Sequence, residues 1–198
     1  MSRSVDFLFD YGSPAAYLAW TQLPRLCAES GAQLVYKPML LGGVFQATGN
    51  ASPVTVPAKG SYLFKDLNRY ARAYGVPLAM NPHFPINTIT LMRIDVALSL
   101  AGDTRLDAYR TAVFNGVWAE QKNMGDPATV AAVLAPAGFE ADELLEMASD
   151  PQVKETLKTW TQEAVERGVF GAPTFFVGGE MFWGQDRLDF VRSALKND

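Results

Sequence analysis

The chain has one cysteine, Cys27, and one histidine, His83, among 198 residues. A single thiol closes no intramolecular disulfide and builds no cysteine-based metal cluster, so no metal site is expected and a reducing compartment fits best. Positive charge is also short: 17 Lys and Arg face 21 Asp and Glu, for a net charge of −4. That balance provides no field to attract nucleic acid or an anionic membrane, and neither is expected as a partner. Residues 1 to 9 lack the basic flank and long apolar core of a signal peptide, and charges or prolines interrupt every candidate membrane-spanning run. The expectation is a soluble, cytoplasmic protein. The sequence also lacks internal repeats, a G-x-S-x-G elbow and a recognisable Ser-His-Asp arrangement, so a serine acting alone as an acyl nucleophile has no evident base.

What is present has a clear order. Val5 to Phe9 reads as a buried strand, Pro14 to Glu29 as a helix stopped near Gly31, and Leu34 to Pro38 as a second strand, a βαβ unit. Pro24 falls inside the helical pattern and is expected to kink it, because it removes a backbone donor. Leu41 to Gly60, rich in Gly, Pro, Thr and Ser, reads as a long irregular loop of the kind that often serves function. Helical patterns follow at Tyr62 to Tyr74, Ile89 to Leu100, Leu106 to Trp118, Pro127 to Ala135, Ala141 to Met147 and Val153 to Arg167. In "PTFFVGGEMFWG" two short β-rich runs flank Gly178-Gly179, a hairpin signal, and Asp186 to Leu195 reads as a last helix. The expected fold is one α/β domain built from both chain ends, with a helical insertion between them.

"FDYGSPAAYLAW" places Ser13-Pro14 where the first strand hands over to the first helix. Ser there can simply cap free amides, with Pro in the first helical position. The same helix terminus also favours an anion such as a thiolate, through its free amides and the helix dipole. Both readings stay open from these residues alone.

The βαβ start and ββα finish around a helical block resemble thioredoxin-fold oxidoreductases of the DsbA type, whose Cys-Pro-x-Cys motif opens the first helix. Here Ser13-Pro14-Ala15-Ala16 stands in its place, so both redox sulfurs are absent and dithiol chemistry is excluded. Four ordered blocks, "FDYGSPAAYLAW", "TGNASPVTVPAKGSY", "HFPINTITLMR" and "GVFGAPTFFVGGEMFWGQDRL", are similar to the family that contains 2-hydroxychromene-2-carboxylate isomerases and kappa-class glutathione transferases. The resemblance implies a thioredoxin-like domain with an all-helical insertion. Residues 1–45 and 168–198 would form the first, and 46–167 a loop plus the second.

It further implies glutathione as cofactor, with Ser13 binding and activating its thiol. Pro173 matches the cis-proline of thioredoxin folds, and Ala172 would offer backbone hydrogen bonds to the extended tripeptide. Trp183, Gly184, Gln185 and Asp186 match the segment that holds the γ-glutamyl end, Asp186 doubling as a cap of the last helix. Asn50 and Lys59 match polar positions that reach the tripeptide. Phe84 falls where isomerases place an aromatic over the substrate, but Phe45 and Thr55-Val56 stand where their basic residues for the substrate carboxylate would be. His83 sits in a proline-flanked loop and receives no role. The implied activity is glutathione-dependent isomerisation of an aromatic acid of the hydroxychromene type by a cytoplasmic homodimer. A kappa-like transferase or peroxidase, and a non-catalytic glutathione or thiol-peptide binding module, are the alternatives.

Overall fold

The computed structural model describes residues 3–197. Strand β1 (Ser4–Phe9), helix α1 (Pro14–Ser30) and strand β2 (Gln33–Pro38) form the expected βαβ unit, with β1 and β2 parallel and Phe7 opposite Tyr36. Near the other end, β3 (Thr174–Val177) and β4 (Glu180–Trp183) form the hairpin, and Gly178 takes a φ of +55° at its tip. That sign of φ suits glycine, which has no Cβ to clash. Strand β3 pairs antiparallel with β1, Phe175 opposite Phe7, so the sheet order is β2-β1-β3-β4. The mixed sheet with its covering helices is a DsbA-like thioredoxin fold.

Between these ends lie α2 (Leu41–Thr48), α3 (Pro57–Tyr74), α4 (Ile89–Ala101), α5 (Leu106–Trp118), α6 (Pro127–Leu134), α7 (Ala141–Ser149) and α8 (Pro151–Glu166). The long irregular loop expected over Leu41 to Gly60 is overturned. It contains α2, a 3₁₀ turn at Pro53–Thr55 and the first turn of α3. Pro53 and Pro57 read as breakers but occupy first-turn positions, where a missing N–H costs nothing. Helix α1 runs unbroken through Pro24 and ends at Gly31, whose φ is +63° and whose N–H bonds back to Ala28 O. The last helix, α9 (Leu188–Asn197), begins later than expected, after a 3₁₀ turn at Gln185–Arg187. Among the described residues no helix is long and apolar enough to cross a membrane.

The core is aromatic where the insertion meets the sheet. Phe7, Phe9, Tyr11, Tyr17, Phe114 and Trp118 are buried together, with the Tyr11 and Phe114 ring centres 4.7 Å apart. A polar clamp crosses the same junction. Tyr11 donates its hydroxyl to Asp95 at 2.5 Å, Arg110 binds both oxygens of Asp95 at 2.9 Å, and the Trp118 indole donates to Tyr11 O at 2.8 Å. Asp95 and Arg110 are on α4 and α5, Tyr11 just beyond β1, so this buried pair ties the insertion to the strand that leads toward Ser13.

Candidate active site

Beyond β1 the chain turns through Asp10, Tyr11 and Gly12 and enters α1 at Ser13. Ser13 has the extended backbone a cap requires, φ −99° and ψ 113°, and its Oγ accepts the Ala16 N–H at 3.1 Å. Capping is therefore real. The hydroxyl also donates across the fold to the carbonyl of Ala172, 3.1 Å away. Ala15 N–H, on the free end of the helix, has no acceptor among the described residues. One hydroxyl donor and one spare amide thus sit at the positive end of a 17-residue helix dipole. The chain's own sulfur does not serve this place: Cys27 is buried, and burial pushes its thiol up to about 11.

The facing wall is the segment leading into the hairpin. The Ala172–Pro173 bond is cis, and Ala172 N–H has no acceptor among the described residues. Gly184 extends the hairpin by donating its N–H to Pro173 O at 3.0 Å. Its φ of +106° disfavours any side chain, and a Cβ there would meet the Asp186 carboxylate at 2.5 Å. Trp183 is half exposed and leans on Phe170, ring centres 4.9 Å apart. Asn50 reaches this wall too, donating its side-chain amide to Phe170 O at 2.8 Å. Gln185 is buried, and its carbonyl groups accept from Tyr74 Oη at 3.2 Å. Asp186 lies within the 3₁₀ turn and pairs with Arg187. The expected capping of the last helix by Asp186 is therefore not its position: α9 starts two residues later.

Ser13, Ala172, Pro173, Gly184, Trp183 and Asn50 are thus joined through one segment, with Gln185 and Asp186 continuing it. Lys59 and Phe84 are not hydrogen-bonded to it. Lys59 lines an open groove of about 410 Å³ with Pro53, Ala58, Tyr62, Leu63 and Asp66. Phe84 is half-buried between Phe64 and Trp118, at 6.0 and 5.8 Å between ring centres, and precedes a second cis proline, Pro85. His83 is exposed.

Two groups at the site escaped the sequence reading. Tyr74, at the end of α3, meets Gln185 only through tertiary folding. Asp10 did leave a signal, a lone acid closing the apolar run "FLFDY". It is buried, with Gly12 N–H, Thr88 Oγ and Leu41 N–H around its carboxylate at 2.8, 2.7 and 2.9 Å.

The contact between Gly171 and Trp183 yields a direct expectation. A Cβ on residue 171 would lie 2.6 Å from the indole nitrogen of Trp183. Gly171→Ala should push the indole off Phe170, shifting tryptophan fluorescence and costing about 1 kcal/mol, the low end of overpacking because Trp183 can swing outward. An unchanged emission spectrum and melting temperature would contradict the packing described.

Known proteins resemble this chain over nearly its whole length. The family model for the DsbA-like thioredoxin domain matches residues 4–196. The chain is 33% identical to a 2-hydroxychromene-2-carboxylate isomerase of Sphingobium xenophagum, over 98% of this chain and 99% of that protein. It is 28% identical to glutathione S-transferase kappa 1 of Homo sapiens, over 98% and 92% respectively. Among solved structures, a 2-hydroxychromene-2-carboxylate isomerase superposes with a TM-score of 0.84 at 35% identity, covering 98% of this chain and 95% of that one. A DsbA-like scaffold with serine at the helix start, a cis-proline opposite and relatives of both kinds over nearly its whole length places this chain in the family of 2-hydroxychromene-2-carboxylate isomerases and kappa-class glutathione transferases.

Proposed function

We propose that the chain is a glutathione-dependent isomerase of 2-hydroxychromene-2-carboxylate-type aromatic acids, acting in the breakdown of aromatic compounds. The observation that carries this reading is the Ser13 hydroxyl at the start of α1, 3.1 Å from Ala172 O, in a chain whose only thiol is buried. The names of the relatives supply the substrate class and the thiol. A cytoplasmic homodimer belongs to the same reading.

The donors present suit an extended thiol tripeptide. Bound glutathione supplies a soft nucleophile that can add to a conjugated acid and leave again, so that it is recovered. Ser13 holds the anion: its Oγ keeps the Ala16 amide while its proton turns from Ala172 O toward sulfur, and Ala15 N–H adds a second donor. That rotation frees Ala172 O, which together with the spare Ala172 N–H offers both bonds of a strand edge to a peptide. Trp183 forms an apolar wall beside it. Gln185 and Asp186 lie where the γ-glutamyl end would rest, Asn50 and Lys59 toward the other end, and Phe84 offers a flat face to an aromatic acid.

Asp186→Asn is expected to weaken glutathione binding about tenfold while leaving turnover at saturating glutathione nearly unchanged, since a charge-assisted contact far from the sulfur serves binding alone. Titration calorimetry on both proteins reads this directly. Equal affinities would leave Asp186 only its pairing with Arg187.

The reaction itself is tested with 2-hydroxychromene-2-carboxylate and a small amount of glutathione. The substrate chromophore should change to that of the ring-opened hydroxybenzylidenepyruvate while total free thiol stays constant, and omitting glutathione should stop the change. Thiol consumed in step with product would establish a transferase instead. Glutathione binding with no turnover of this acid or of a panel of electrophiles would establish a binding module.

A further inference from the structure

The buried carboxylate of Asp10 has no part in the proposed chemistry, yet it lies three residues before Ser13. It is 3% exposed and takes three donors from three places. Oδ1 accepts Gly12 N–H and Thr88 Oγ–H, Oδ2 accepts Leu41 N–H, and its main-chain oxygen accepts Ser13 N–H at 3.0 Å. No cation pairs with it among the described residues, in contrast to Asp95 and its partner Arg110. A buried acid without a counter-ion is a costly way to fill space, and an apolar residue would pack there at less cost.

The bonds indicate what the carboxylate does. Helix α2 follows Leu40, which has no polar side chain to cap it, and Asp10 takes the first amide of that helix from outside. Thr88 precedes α4 in a capping position but makes no cap bond to its own helix; its hydroxyl donates to Asp10. Gly12 lies beside both: a Cβ on it would be in ordinary contact, 3.4 Å from Asp10 Oδ1 and 3.4 Å from Thr88 Cγ2. The turn that delivers Ser13 is thus fixed to the starts of two helices by one side chain.

We infer that Asp10 is a positioning residue that holds the Gly12 turn, and through it the Ser13 hydroxyl and Ala15 amide, in place for a bound anion. The inference rests on the anion-binding reading of Ser13. The groups facing Asp10 from the turn, from α2 and from α4 are Gly12, Leu41 and Thr88, all neutral. Burial raises its carboxyl above the ordinary aspartate value, and the three hydrogen bonds pull it back only in part. A proton on the carboxyl displaces one donor. Because the value is raised in the buried turn, a proton favours that turn over one with the carboxyl exposed, so pH falling through the raised value rearranges the hydrogen bonds around Asp10 rather than undoing the turn.

The test uses the full chain, isotope-labelled, with and without glutathione. In the ligand-free protein the amide resonances of Gly12, Ser13, Ala15 and Leu41 are followed between about pH 3 and 8, a range that spans ordinary carboxyls. They should share one inflection above the ordinary aspartate value, absent in Asp10→Asn. Asp10→Asn and Thr88→Val should bind glutathione about tenfold more weakly, as misplaced groups do, and the ultraviolet thiolate signal of the bound ligand should develop at higher pH. Thr88→Ser, which keeps the hydroxyl, should restore both. If Asp10→Asn does not fold, Thr88→Val decides by the same readouts. Wild-type affinity and thiolate midpoint in a folded variant would overturn the inference, as would Ser13 and Ala15 amides indifferent to pH. A wild-type chain that binds no glutathione would overturn the proposed function, and the ligand-free titration then decides for or against Asp10 by itself.

Discussion

Ser13→Ala is expected to lower turnover about a hundredfold, the scale seen when one preorganised donor to a developing or bound anion is removed. The hydroxyl is the single side-chain donor at the start of α1, and its loss leaves only the Ala15 amide and the helix dipole to hold a thiolate. The ultraviolet signal of bound thiolate should then appear only at higher pH, because the neutral thiol no longer loses a proton to gain that hydrogen bond. Stability should fall by about 1 kcal/mol from the lost cap to Ala16 N–H. The two effects are separable: a cap loss lowers the melting temperature without moving the thiolate midpoint. A variant that melts lower but turns over and titrates like the wild type would reduce Ser13 to a cap.

The largest stability effect is expected at the clamp between the insertion and the sheet. Asp95→Ala should cost about 3–5 kcal/mol, because it leaves the Arg110 guanidinium buried without its carboxylate. For a chain of this size that is a fall of roughly 10 °C in melting temperature. Burial, and after it the neighbouring Asp95, holds the Tyr11 hydroxyl protonated well above its usual value, so Tyr11 donates throughout the working pH range. It too loses its acceptor. Replacing both partners by apolar residues, Asp95→Leu with Arg110→Met, should recover much of the loss, since no charge is then left alone. A calorimetric melt of the wild type, the single variant and the double reads all of this. A single variant no less stable than the double would contradict the account.

Where local chemistry dictates structure, the sequence was readable. The βαβ start follows from an apolar run, a Ser-Pro helix entry and a glycine stop, and the hairpin from Gly178-Gly179 between β-rich runs. The family resemblance put Ser13 and Ala172 in one expected site, but the bond from the Ser13 hydroxyl to the Ala172 carbonyl was not read from the sequence. The stretch from Leu41 to Gly60 misled because Pro and Gly break helices only in their interiors. Pro53 and Pro57 stand at first-turn positions, and Gly42 and Gly43 lie in the first turn of α2. Asp186 was misplaced by a similar margin, since a 3₁₀ turn before α9 looks like helix in sequence. The role of Asp10 could not be read at all. Its partners Thr88 and Leu41 are distant in the chain, and only folding brings their donors to one carboxylate.

The order of strands in the sheet has a temporal consequence. Chains grow from the N-terminus, and the partner of Val5 on the far side of β1 is Val177. At ordinary translation speeds the ribosome needs roughly ten to thirty seconds to travel between them. During that interval β2 covers one edge of the central strand while the other presents unpaired peptide groups, the kind of edge that recruits foreign strands. Helix α1 and its serine can form early, but the carbonyl that Ser13 meets arrives almost last. A nascent chain stalled before β3 therefore carries α1 without the carbonyl that Ser13 meets, and leaves one edge of β1 unpaired.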